Sequence, residues 1–219
     1  ALSRLTLVPR LALLEQSRHS RLFVGMTVKE ILKEVLEDGG FDADGFDLRL
    51  HGAYPKEEHV CQYQESDLAF LQRWMQHEGI SYFFEQGPRE EKVVITDDGS
   101  SYVALGSGAV PFRVGSHEGQ AGESLDALTC RLRTLPESVR VVDYDYLKPN
   151  LDLSAVETVS ASGAGRVGLH GARAFSPGDA ARYARVRAEE LRAGGELADA
   201  SGTSPLVRAG CVFELEGHP

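Results

Sequence analysis

The sequence is poor in the residues that staple or metallate small proteins. Its 219 residues hold three cysteines, Cys61, Cys130 and Cys211, far apart and odd in number. That spacing excludes a disulfide framework and a CxxC zinc site, and predicts reduced, mostly buried thiols. Long apolar runs are also missing. The opening ALSRLTLVPRLALL is interrupted by Arg4, Pro9 and Arg10, so it is neither a signal-peptide core nor a membrane span. No later stretch nears the roughly 20 apolar residues that a span needs, and no membrane anchoring is expected. Positive charge is scarce as well. A formal net charge of −10 repels phosphate backbones, and no nucleic-acid partner is expected. Arg182, Arg185, Arg187 and Arg192 are interleaved with Glu189 and Glu190 and read as a solvated helix face. The chain starts without Met, as though cut from something longer.

Motifs for chemistry are equally thin. There is no GxSxG elbow and no Walker A loop. His77-Glu78 and His117-Glu118 both fail to complete HExxH. His59 and Cys61 stand two apart in an extended stretch, so both can face one side as metal ligands do, but a zinc site needs about two more. Cys61 or Cys211 as a nucleophile would require a distant histidine. Asp97-Asp98 sits in a turn-like stretch, where Asp bonds its own backbone. GAGRVG, Gly163 to Gly168, matches GxGxxG, yet Gly171 and Pro177 forbid the long helix whose N-terminus must meet a pyrophosphate. No catalytic residue, cofactor or metal ligand is expected.

What is present is strong punctuation around short elements. Residues 3–14 read as strands kinked at Pro9. GMTVKEILKEVLEDGG reads as a helix with Thr27 as N-cap, Glu30 completing a capping box, and Gly39 or Gly40 as the stop. Phe46, Leu48 and Leu50 alternate as in a strand. HVCQYQ is extended, Ser66 caps a helix that carries Leu68, Leu71, Trp74 and Met75, and Gly79 ends it. ISYFFEQ and KVVIT then make a hairpin across QGPREE. Tyr82 and Phe84 share a face with Ile80. Phe83 points the other way, which leaves it open between core and interface. Residues 98–122 read as a connection with strand candidates at 101–105 and 110–114. SVRVVDYDYLKP and DLSAVETVSAS are further strands. A final helix is capped by Ser176 with Pro177 at its first position and Gly194 after it, before a turn at Gly210 and a strand through Leu215.

These strings resemble a family in order along the chain. SRLTLVPRLALLEQSRHSRLF, TVKEILKEVLEDGG, YPKEEHVCQYQESDLAFLQRWMQHEGISYFFE, VVDYDYLKP and AGCVFELEGHP are similar to segments of the VgrG spike proteins of type VI secretion systems, which are related to phage tail hub proteins of the late control protein D type. The block at residues 54–85 carries the likeness most specifically. The resemblance implies a β-rich α+β, phage tail hub-like fold of β-barrel modules with helical and mixed α/β insertions. Residues 1–24 would be the end of a truncated first barrel module, 25–98 the mixed insertion, and 99–219 a second barrel module with a helix near 177–193.

The same resemblance implies a structural protein and no enzyme. It would be the base of a homotrimeric spike that adapts rings of a hexameric tube protein to a threefold needle, among baseplate components. Effector proteins would attach through C-terminal parts absent here. It would be assembled in the bacterial cytoplasm and exported into a target cell by the contractile machine. A tail hub of a phage or an extracellular contractile particle is the alternative. A cell-wall hydrolase, or a carbohydrate- or peptide-binding β module using Tyr82 and Phe84, would be a different class.

Overall fold

The structure, a computed structural model, describes residues 3–88, 90–113 and 123–218. A 3-10 helix at Arg10–Glu15 precedes β1 (Arg18–Thr27), α1 (Val28–Asp38), β2 (Phe46–Arg49), β3 (Lys56–Ser66), α2 (Asp67–Glu78), β4 (Ser81–Gln86) and β5 (Glu91–Thr96). After a one-turn 3-10 helix at Gly99–Ser101 come β6 (Val103–Pro111), β7 (Leu125–Leu132), β8 (Ser138–Asp143), β9 (Leu153–Thr158), β10 (Arg166–His170), α3 (Pro177–Ala193), β11 (Glu196–Gly202) and β12 (Cys211–Glu216). The chain divides into two compact units, Ala1–Val103 with Arg208–Val212, and Ala104–Val207 with Phe213–Pro219.

In the first unit two strands pass directly into helices through their capping residues. Thr27 closes β1 and caps α1: its hydroxyl accepts from the Glu30 N–H at 3.2 Å, and Glu30 accepts from the Thr27 N–H at 2.7 Å. Ser66 closes β3 and caps α2, accepting from the Ala69 N–H at 3.2 Å. Gly79, at φ 73°, ends α2 in the left-handed conformation that glycine adopts without a Cβ clash. After α1 it is Gly40, at φ 84°, that turns left-handed, while Gly39 stays at φ −73°. β1 and β3 form an antiparallel ribbon with Arg18 opposite Ser66 and Thr27 opposite Lys56, so the two helices leave from opposite ends. Their apolar stripes meet one core that includes Val28, Ile31, Leu32, Val35, Phe70, Leu71, Trp74 and Met75. Burying each such side chain contributes about 1.5–3 kcal/mol before conformational entropy is charged.

The expected hairpin is β4 against β5, with Phe83 opposite Val94. β2 adds on the other side of β5 in parallel, giving the order β2-β5-β4. Tyr82 and Phe84 meet edge to face at 5.9 Å and are half-buried against the core. Phe83 is buried at 4% exposure, edge-on to Tyr102 and against Gly210. It is a core residue of this unit.

In the second unit β8 is central to the order β10-β8-β9, with β10 parallel and β9 antiparallel to it. α3 covers this sheet through Ala180, Tyr183, Ala184 and Ala188, which meet Val139, Val141 and Val159. Ser176 caps α3 by accepting from the Asp179 N–H at 3.1 Å. β7 pairs with β11 and β6 with β12, each as a two-stranded sheet. The fold is therefore α+β and β-rich with helical insertions, and none of these sheets closes into a barrel among the described residues.

Several local expectations are corrected. Residues 3–14 are not strands: 3–9 lie in no sheet, and 10–15 coil into a 3-10 helix because Leu11 and Leu14, three apart, both reach the core. The two strand candidates at 101–105 and 110–114 are one strand over Val103–Pro111 as far as the described residues reach. The cysteines are not buried. Cys61 and Cys130 are exposed and Cys211 is intermediate, because the first two sit on the outward faces of two-stranded ribbons that bury one side at most. His117-Glu118 lies outside the described residues.

Gly210 takes φ +79°, and a Cβ there would overlap the Phe83 ring. Gly210→Ala combines a left-handed penalty with overpacking. It is expected to cost about 2–4 kcal/mol in urea denaturation, while Gly165→Ala, with open space around it, costs the backbone part alone.

Candidate functional site

Asp67, whose position after the Ser66 cap suits the dipole of α2, gathers a polar cluster that joins four elements. Asp67 is the first residue of α2, and its side chain is 3% exposed. Its Oδ1 accepts from Arg21 Nη2 at 2.9 Å and from Gln62 Nε2 at 2.8 Å, and His19 Nδ1 lies 2.9 Å away. Oδ2 lies 3.1 Å from the same His19 nitrogen. Arg21 spreads its other donors over Gln62 Oε1 and Asp38 Oδ2, both at 2.7 Å. The Asp67 N–H donates to the Ser17 carbonyl at 3.0 Å. β1 thus supplies the cation, β3 the amide, α1 the second carboxylate and α2 the first. Asp67 also sits at the positive end of α2's dipole, where a negative charge is favoured.

This cluster binds elements together. Both Asp67 oxygens are engaged and almost wholly shielded from water, so neither is placed to take a proton from a substrate. Gln62 is fully buried and spends its carbonyl and its amide within the cluster and on the Glu65 carbonyl. A buried ion pair held by extra hydrogen bonds specifies which surfaces meet more than it adds net stability, and its rupture is costly.

The residues weighed for chemistry are scattered. His59 and Cys61 alternate on the outer face of β3, opposite Val24 and Leu22 of β1. Among the described residues no group of three or more His, Cys, Asp or Glu side chains is arranged to hold a metal ion. His77, in the last turn of α2, stacks edge-on to Trp74 at 5.5 Å, and Trp74 is buried in the core. Cys211 accepts from Arg208 Nε at 3.3 Å. GAGRVG leads into strand β10, not into a helix, and Gly163 is there because a side chain would collide with the Pro136 carbonyl.

Of the two carboxylates after β5, Asp98 works on its own turn as expected, whereas Asp97 reaches across to the distant segment at residues 51–54. Asp97 accepts from the N–H groups of His51 and Gly52 at 2.9 and 2.6 Å and from the Tyr54 hydroxyl at 2.8 Å. Partial burial pushes its pKa up, but the His51, Gly52 and Tyr54 donors outweigh that and hold it below the ordinary carboxylate value. Asp98 accepts from the Ser100 N–H at 2.7 Å and starts the following 3-10 turn.

The residues weighed for chemistry are thus accounted for by local packing and hydrogen bonds among the described residues. All 219 residues match the phage tail baseplate hub family, GPD. The chain belongs to that family. A type VI secretion system spike protein of Pseudomonas aeruginosa, VgrG4b, is 32% identical over 99% of this chain, which spans only 27% of that relative's length. Among solved structures, the Escherichia coli c3393 protein matches with a TM-score of 0.64 at 23% identity, over 96% of this chain and 44% of its own. That protein is described as a component of the type VI secretion system with structural similarity to the T4 tail proteins gp27 and gp5. The 43 kDa tail protein of prophage MuSo2 from Shewanella oneidensis matches with a TM-score of 0.59 at 14% identity, over 89% of this chain and 57% of its own. At these identities the structural likeness concerns the hub fold.

Asp67→Ala takes a buried carboxylate from the half-buried Arg21, which keeps Gln62 and Asp38, and is expected to cost about 1–3 kcal/mol in chemical denaturation. Cys61→Ala on the exposed face stays within about 0.5 kcal/mol of the parent. Asp97 supplies stability that is fully present above its ordinary pKa and lost as pH falls through its lowered folded value. The difference in Tm between parent and Asp97→Asn is therefore expected to be widest near neutral pH and to close in acid, below the ordinary carboxylate range.

Proposed function

We propose that this chain is the hub-like base of a homotrimeric type VI secretion spike, a structural part that adapts a hexameric tube to a threefold needle. The observation that carries this is the match to the baseplate hub family along residues 1–219. The relative at 32% identity supports the secretion setting, because it is itself a type VI spike protein. A tail hub of a contractile phage or an extracellular particle is the second reading, supported by the fold likeness to the MuSo2 tail protein. Sequence identity is higher on the secretion side, at 32% against 14%.

In this reading residues 1–24 end a first barrel module, 25–98 form a mixed insertion and 99–219 make a second barrel module. The chain itself catalyses nothing: its buried carboxylate is spent on Arg21 and Gln62, and its turn carboxylates on backbone N–H groups. Its partners are two further copies, rings of the tube protein and baseplate components, with effectors carried by other segments of the parent polypeptide. Assembly takes place in the bacterial cytoplasm, followed by export through the machine. No helix among the described residues is long and apolar enough to cross a membrane.

Multi-angle light scattering on the full polypeptide that carries this chain is expected to give three copies per particle, and the particle is expected to co-sediment with rings of the tube protein. A particle that stays monomeric at high concentration ends both the secretion and the phage versions.

A further inference from the structure

Residues 50–55 cross from the three-stranded sheet to the ribbon, between β2 and β3, and belong to no strand. Leu50 is buried in the core at one end and Tyr54 is half-buried against it near the other. His51, Gly52, Ala53 and Pro55 are exposed. Between the two anchors, the N–H groups of His51 and Gly52 end on one side chain, Asp97. Its Oδ1 accepts from the His51 N–H at 3.0 Å. Its Oδ2 accepts from the same N–H at 2.9 Å, from the Gly52 N–H at 2.6 Å and from the Tyr54 hydroxyl at 2.8 Å. The approach is close: a Cβ on Gly52 would stand 3.0 Å from Oδ2.

These bonds suit a carboxylate in its ionised form. An ionised carboxylate only accepts, whereas a protonated one carries a donor of its own and turns it toward groups that also donate. Bonds to the charged form are also about twice as strong as neutral ones. Gripping the segment therefore holds Asp97 ionised, and by the same linkage a proton favours the state in which the grip is released. The titratable groups around the contact are His51 and Tyr54 from the crossing segment and Asp98 beside Asp97. Asp98 is turned to the Ser100 N–H; His51 attracts it and Asp97 repels it.

We propose that residues 51–54 form a strap that Asp97 latches while ionised and releases on taking up a proton, so that the strap opens on its own while the strands beside it stay paired. A short exposed segment without ladder bonds belongs to the low-stability end of a fold, where such local opening occurs. The latch makes the joint between the sheet and the ribbon responsive to acid, and it stands apart from the hub reading above.

Hydrogen exchange by mass spectrometry on the full polypeptide tests it, with labelling times scaled for the intrinsic effect of pH. At neutral pH, peptides over residues 50–56 are expected to exchange at least about tenfold faster in Asp97→Asn than in the parent, while peptides over β5 stay protected. As pH falls through the lowered folded value of Asp97, the parent strap is expected to reach the level of the variant before β5 opens. Tyr54→Phe keeps the ring in the core and removes one donor to the ionised form. Its strap is expected to open at a higher pH than the parent's, and this decides the matter if Asp97→Asn does not fold. A parent strap that loses protection only together with β5 is no separate unit, and the proposal falls. It falls equally if the folded Asp97→Asn strap stays as protected as the parent's, or if Tyr54→Phe opens at the parent's pH.

Discussion

One buried carboxylate sets the arrangement of the first unit. Asp67 is held where a strand ends, a helix begins and a neighbouring strand brings in a guanidinium. Removing an ionised carboxylate from water costs several kcal/mol unless its oxygens are filled. Four elements converge to fill them: β1 through His19 and Arg21, β3 through Gln62, α1 through the Asp38 that holds the same Arg21, and the α2 N-terminus itself. An apolar core tolerates small slips between packed surfaces. This cluster does not, because moving the ribbon by one residue would turn Arg21 and Gln62 to the solvent face and strand the charge.

Parts of this were legible in the sequence and parts were not. The helix ends were, because Thr27, Ser66 and Ser176 are caps whose bonding partners lie three residues away, within reach of local reasoning. The β4–β5 hairpin was legible for the same reason. The parallel seat of β2 against β5 was not, since it joins strands separated by the whole of β3 and α2. β1 was passed over because its ten residues mix Arg, His, Ser, Leu and Phe without a clean alternation. Its inward row includes Arg21, a charge that becomes sensible only once Asp67 stands opposite. β7 beyond Leu128 and the whole of β11 are exposed on both sides and write no hydrophobic pattern.

The candidate site followed the same division. That GAGRVG does not open a helix was legible from Gly171 and Pro177, and the structure runs it into β10 and gives Gly163 a steric duty beside Pro136. The exposed cysteines came out differently from expectation because thiol burial depends on how many layers cover a strand. The favourable place of Asp67 at the start of α2 was legible, but its partners were not, since they lie 5, 46 and 48 positions away. These features belong to a chain that matches the phage tail baseplate hub family along its whole length.

Thr27 and Ser66 each belong to a strand and a helix at once, so no loop intervenes at either joint. The ribbon is about 33 Å long at ten residues, and α1 and α2 depart from its opposite ends. A linker of a few free residues would absorb displacement by bending. Here one capped residue joins each end of the ribbon to its helix, so a shift of either helix is handed directly to a strand.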